Sequence, residues 1–208
     1  MKTALLLVGM LPAAAWSQAR LVIEDGGRRV GYATISQKLL PDGTKSVEMR
    51  LQIGKTRLVT QSTFDREGAP TRKFHEILEP VADKKRVLVE FDAEGAVITD
   101  LGGPDRTPRK APLVKTGNRK NASEFWFLRD QPKPGARAQA FVFDLNTWSW
   151  DLTTSEYVGM AKGEIAGKMV DAHEVRADRA GGTARMLLDA QGLPILVEQG
   201  RLVMRRFQ

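Results

Sequence analysis

His75 and His173 are the only two histidines of the chain, and they are the first residues to weigh for chemistry. His75 lies in TRKFHEILE beside Glu76, and His173 in VDAHEVRAD beside Glu174. Two strands meeting across a sheet could bring both imidazoles and one carboxylate to a metal ion. No ligand spacing of a known site accompanies them, and the alternative is a pair of surface or half-buried strand histidines. Asp144, Asp151 and Glu156 are carboxylates of the type used in general acid and base work, yet solvation is the default for such residues on strand faces and in turns. A serine nucleophile needs a base and a third, orienting group, and the strained Gly-x-Ser-x-Gly elbow is absent. No phosphate-binding loop, dinucleotide fingerprint or kinase set occurs. With no cysteine there is no thiolate metal site, disulfide or lipidated cysteine. The expectation is a protein without enzymatic activity, metal or cofactor.

What remains is an apolar surface. The stretch from Asn121 to Trp150 holds Phe125, Trp126, Phe127, Phe141, Phe143, Trp148 and Trp150, half of the 14 aromatic residues. Burying one such side chain is worth roughly 1.5 to 3 kcal/mol. The segment therefore either fills the largest block of core or leaves part of its surface as the wall of an apolar ligand cavity. On the second reading the ligand-binding residues are Trp126, Phe141, Phe143, Trp148 and Trp150. Trp148 and Trp150 are expected on one face, as residues i and i+2 of a strand.

These side chains must be positioned by strands. Val47, Met49, Leu51 and Ile53 alternate with Glu48, Arg50 and Gln52, the pattern of a strand with one buried and one wet face. Arg57 to Phe64, Val87 to Phe91, Arg137 to Asp144, Thr147 to Val158, Met169 to Arg176, Ala184 to Leu188, Ile195 to Gln199 and Leu202 to Arg206 read likewise as strands. Asn146 sits in the turn between Arg137–Asp144 and Thr147–Val158. The motif Asp-x-x-Gly recurs at Asp65, Asp92 and Asp189, each time after an apolar strand end. It suits a type I turn closed by a left-handed glycine. The pattern predicts a mainly antiparallel all-β domain of about ten or eleven strands. Between Leu101 and Lys120 the alternation stops, and residues 102–120 form a basic, Pro/Gly-rich exposed loop. Asn121 and Glu124 have the spacing of a capping box for one short helix, ended by Pro132, Pro134 and Gly135.

Met1 to Ala19 has the layout of a secretory signal peptide, with Lys2 in the charged region, Ala4 to Trp16 apolar, and Ser17-Gln18-Ala19 as the cleavage site. Residues 20–208 then form a single domain, secreted or periplasmic, and no later segment is apolar enough to span a bilayer. The net charge of +7 favours anionic surfaces at low salt and equally serves solubility. The basic loop lacks interleaved aromatics, which argues against specific nucleic-acid binding.

A resemblance becomes visible along these strands. Gly27 to Ile35 (GRRVGYATI), the alternating strand after it and Phe64 to Pro70 (FDREGAP) resemble the opening of uncharacterised secreted bacterial β-rich domains, including those that precede transglutaminase-like domains. Pro132 to Phe143 (PKPGARAQAFVF), Gly167 to Val175 (GKMVDAHEV) and Met186 to Pro194 (MLLDAQGLP) fit as well. Where the final hairpin of such domains often has tryptophan, this chain has Leu187 or Leu188. The resemblance implies a large curved antiparallel sheet or half-barrel, similar to that of periplasmic lipoprotein carriers. It also implies a concave face for lipid or acyl chains, and it brings no catalytic residues. The expected function is thus a secreted, non-enzymatic binding or carrier module for an apolar or amphipathic, lipid-like ligand. The alternative is an interaction domain that docks on a cell-envelope protein through an open sheet edge.

Overall fold

Two of the three Asp-x-x-Gly motifs make the expected turn closed by a left-handed glycine; at Asp92 the side chain caps a bend and Gly95, at φ of 149°, already begins a strand. Asp65 Oδ1 accepts from the amides of Glu67 (3.0 Å) and Ala69 (2.9 Å). Asp189 Oδ1 accepts from Gln191 (2.9 Å) and Leu193 (2.9 Å), and Asp92 Oδ1 from Glu94 (2.8 Å) and Gly95 (2.9 Å). Gly68 and Gly192 close the first and third of these turns at φ of 80° and 83°, a region open to glycine at little cost.

A computed structural model describes residues 15–79, 85–112, 125–145, 147–179 and 182–208. In chain order the strands are β1 (Ala15–Asp25), β2 (Arg28–Leu39), β3 (Lys45–Ile53), β4 (Thr56–Phe64), β5 (Pro70–Leu78), β6 (Lys85–Phe91), β7 (Gly95–Asp100) and β8 (Arg109–Pro112). A short helix α1 (Trp126–Asp130) follows, then β9 (Arg137–Asp144), β10 (Ser149–Ile165), β11 (Lys168–Arg179), β12 (Gly182–Leu188), β13 (Pro194–Gln199) and β14 (Leu202–Arg206). All belong to one 14-stranded sheet in the order β8-β7-β6-β5-β4-β3-β2-β1-β14-β13-β12-β11-β10-β9. Every pairing is antiparallel and joins sequence neighbours, except that β1 pairs with β14 and so unites two meanders.

The fold class is as expected, and the strand count is higher than the ten or eleven read from the pattern. Part of the difference is β8, which falls within the stretch expected to be loop. Its alternation is masked by Arg109, Lys110 and Pro112, and such residues are tolerated because this is an edge strand. Residues 102–108 do lie outside any strand; residues 113–120 and the capping pair Asn121 and Glu124 are outside the described residues. β1 begins at Ala15, ahead of the expected cleavage site. Ala19 is fully buried beside Leu21 and Ile23, and Gln18 donates to Ser36 Oγ (3.1 Å).

The hydrogen-bonded ladder is open, with β8 and β9 at its ends. Laid flat, neighbouring strands at about 4.8 Å spacing would hold those ends several tens of ångströms apart. Side chains from them nevertheless meet. Phe91 on β6 lies 6.0 Å from Phe143 on β9 and 5.8 Å from Trp150 on β10, ring centre to ring centre, and Trp150 Nε1 donates to the Ala111 carbonyl on β8 (3.1 Å). The sheet therefore bends back on itself and is closed by packing, while its last ladder remains unmade.

Registers fix which face is inside. Gln37, Val47, Ser62, Lys73 and Val89 stand opposite one another in a single row across β2 to β6. On the other side, Met204, Val197, Met186, Val175 and Tyr157 form a row across β14 to β10. Along β9 and β10, Val142 and Thr153 face this interior, whereas Phe143 and Trp150 lie on the opposite face, by the two-residue period of a strand. One end of the sheet thus tucks beneath the other.

Candidate functional site

Between the two rows lies a cavity of about 370 Å³, to which ten strands and the segment around α1 contribute. This is the lower part of the range in which small-molecule sites fall. Ile35, Met49, Val175, Met186, Val197 and Met204 supply apolar wall. Methionine fills such space without imposing one shape, because its unbranched thioether re-packs at little cost. Polar groups are few: Gln37, Thr60, Ser62, Lys73, Thr153 and Ser155. Lys73 is the one charged residue on the lining.

One end is stoppered by α1. Phe125, just before it, packs edge-on against Phe64 at 6.0 Å and lies under the Lys45 ammonium, 3.3 Å from the ring centre. Trp126 turns inward and donates from Nε1 to Ser155 Oγ (2.9 Å). Phe127 is buried, stacked on Tyr157 at 6.3 Å and beside His173 at 5.4 Å. Two of the Asp-x-x-Gly turns flank the stopper. Arg129 donates to the Glu67 carbonyl (2.6 Å), and Gly192 packs so closely that a Cβ there would stand 2.7 Å from Phe125.

Of the five aromatic candidates, Trp126 alone lines the cavity. Phe143, Trp148 and Trp150 form the cluster that joins the two ends of the sheet, with Val87, Val89, Phe91, Ala96 and Ile98. Trp148 is not in a strand. It takes a left-handed φ of 54° in the turn before β10, a strained choice for a large side chain, and its ring is covered by Lys85 and Arg109 at 5.8 and 5.2 Å. Phe141 faces an outer trough along β9 with Arg129, Asp130, Arg137 and Leu152. That trough is larger, about 760 Å³, and carries three charged residues where the inner cavity carries one, so it suits an apolar ligand less well.

The sequence pattern missed Gln37, Ser62, Lys73, Met186 and Met204, and placed Met49 on a buried face without assigning it to a site. The available signal was register: each is an inward position of its strand, and strand pairing places them in rows.

The histidines are held apart from one another by separate partners. His75 Nδ1 lies 3.4 Å from Thr60 Oγ1 and its Nε2 is buried without a partner among the described residues; burial, and then the neighbouring Lys85, hold its pKa below the usual value. His173 Nδ1 lies 3.1 Å from Tyr157 OH. Glu76 pairs with Arg86, and Glu174 with Arg185 at 3.0 Å; the Arg185 hydrogen bond holds the Glu174 carboxyl below the usual range. Glu156 pairs with Arg137 at 2.8 Å. Among the described residues no group of three or more His, Asp or Glu side chains could hold a metal ion, and no helix is long and apolar enough to cross a membrane.

The chain matches no family model and no curated protein. Among solved structures it is similar to a β-barrel-like protein of a domain of unknown function, DUF1849, from Brucella abortus, at 12% identity and a TM-score of 0.61 over 93% of this chain and 95% of that one. A DUF1089 family protein from Pseudomonas aeruginosa, at 14% identity, superposes with a TM-score of 0.44 over 83% of this chain and 90% of that one. The first likeness carries the fold, that of an uncharacterised β-rich domain. Neither description mentions a transglutaminase or a lipoprotein carrier.

Proposed function

We propose that this chain is a non-enzymatic carrier or binding module for an apolar or amphipathic, lipid-like ligand, held inside the bent sheet. The observation that supports this reading is the interior cavity of about 370 Å³ with its mainly apolar wall. A chain that needed only a core would fill such space, since protein interiors pack nearly as densely as organic crystals. Secretion belongs to the same proposal and rests on the layout of Met1 to Ala19 alone; the N-terminus of the exported protein checks it.

The test is a titration with a fluorescent fatty acid. Wild type is expected to bind it saturably, one per chain. Val197→Phe, which adds a ring to the wall, weakens that binding by about tenfold or more, equivalent to 1.4 kcal/mol. Trp150→Ala, in the cluster that joins the sheet ends, lowers the melting temperature and leaves affinity in the folded protein near the wild-type value. Loss of affinity in Trp150→Ala with none in Val197→Phe would move the site to the aromatic cluster. Absence of any saturable binding removes the carrier reading and leaves the docking domain ahead.

A further inference from the structure

We infer that the ligand is a single-chain amphiphile with an anionic head, and that Lys73 holds the head; this rests on the carrier reading above. Lys73 enters the cavity because it faces Ser62 on β4 and Val89 on β6 in the inner row. It is the only charged residue of the lining, and no carboxylate lines the cavity with it. It forms no ion pair among the described residues. Asp151 shares the inward face of β10 through its pairing with Val142, yet it neither lines the cavity nor pairs with this lysine. Lys73 is half-buried, and an ammonium beside a mainly apolar wall with no counter-charge on that wall is placed to take an anion by a charge-assisted hydrogen bond. A carboxylate or phosphate on the ligand would provide both the charge and the hydrogen-bond acceptors, with the Ser62 hydroxyl one strand away as a second donor.

A second observation points to the same row. Gln37 is 8% exposed, donates from Nε2 to the Gln191 carbonyl at 2.8 Å, and keeps Oε1 buried with no partner among the described residues. Buried acceptors are normally satisfied, so an acceptor left over inside a cavity fits a ligand hydroxyl or amide proton. The far wall, with Met186, Met204 and Val197, offers no charge and suits a hydrocarbon tail. The volume of about 370 Å³ holds about a dozen water-sized units, enough for one chain of medium length and too little for a lipid with several.

Four ligands of equal chain length decide the matter in a displacement titration in mildly alkaline buffer: dodecanoate, dodecyl phosphate, methyl dodecanoate and dodecylamine. Wild type is expected to prefer the two anions to the neutral ester by about tenfold or more, with the amine weakest. The ranking of carboxylate against phosphate identifies the natural head. Lys73→Met brings the anions down to the affinity of the ester without changing the ester, and Lys73→Arg keeps the preference. Equal binding of ester and acid by wild type overturns the inference while the carrier reading stands. So does an undiminished preference in Lys73→Met. Failure of all four to bind wild type is a different result, which removes the cavity reading itself. If Lys73→Met does not fold, the wild-type ratio of acid to ester and the Lys73→Arg variant still decide.

Discussion

Truncating Phe127 to alanine is expected to lower stability by about 3 to 5 kcal/mol, a fall in melting temperature of about 6 to 20 °C for a chain of this size. The ring is 2% exposed and packs on Trp126, Tyr157, Val175 and Leu188. It belongs to a helix of only five residues, with no side-chain cap at its start. So short a helix has no stability of its own; it is held by what its aromatic residues bury. Removing Phe127 therefore both leaves a void and frees the stopper of the cavity. Thermal unfolding followed by circular dichroism, with Met169→Ala at an exposed position (63%) as control, measures the effect. A loss below about 1 kcal/mol, the ordinary effect of a point substitution, would mean that α1 is not part of the core.

Gly31→Ala is also expected to be damaging, for a different reason. A Cβ at residue 31 would stand 2.0 Å from the backbone oxygen of Gln52 and 3.0 Å from its carbonyl carbon. These are atoms of the neighbouring strand β3, so no side-chain rotation relieves the contact. Gly31 also pairs with Ile23, where the β1–β2 register shifts by one residue, and close approach of backbones is a common reason for glycine within a strand. The β2–β3 pairing must open, and overpacking of this kind costs about 1 to 3 kcal/mol and occasionally more. Gly27→Ala is the comparison, since a Cβ there meets nothing within 4 Å and only the φ of 81° resists it. If Gly31→Ala melts like wild type, Gly31 does not lie against the backbone of Gln52.

Much of the fold was legible, because period-two alternation and turn chemistry are local. Val47, Met49 and Leu51 do face inward on β3, while Ile53 at its end is exposed, and the Asp-x-x-Gly motifs at Asp65 and Asp189 make the turns their spacing demands. The candidate site was less legible, and the reasons are physical. A cavity wall need not alternate cleanly: Thr60, Ser62 and Lys73 are polar, yet pairing with Met49, Val47 and Val89 respectively turns them in. The aromatic density at residues 125 to 150 signalled strong packing without saying against what. Phe143 and Trp150 pack against Phe91, some fifty residues earlier in the chain, a contact with no local periodicity. The sheet needs that cluster because its closing ladder is missing, so the aromatics do there what backbone hydrogen bonds do elsewhere.

The most direct measurement is a titration of methionine-methyl-labelled protein with dodecanoate, followed by nuclear magnetic resonance. Met49, Met186 and Met204 line the cavity, while Met160 and Met169 are 60% and 63% exposed. The account predicts saturable shifts of the three interior methyl signals with the two exposed ones unmoved. Shifts confined to Met160 and Met169, or no saturable shift at any methionine, would contradict it.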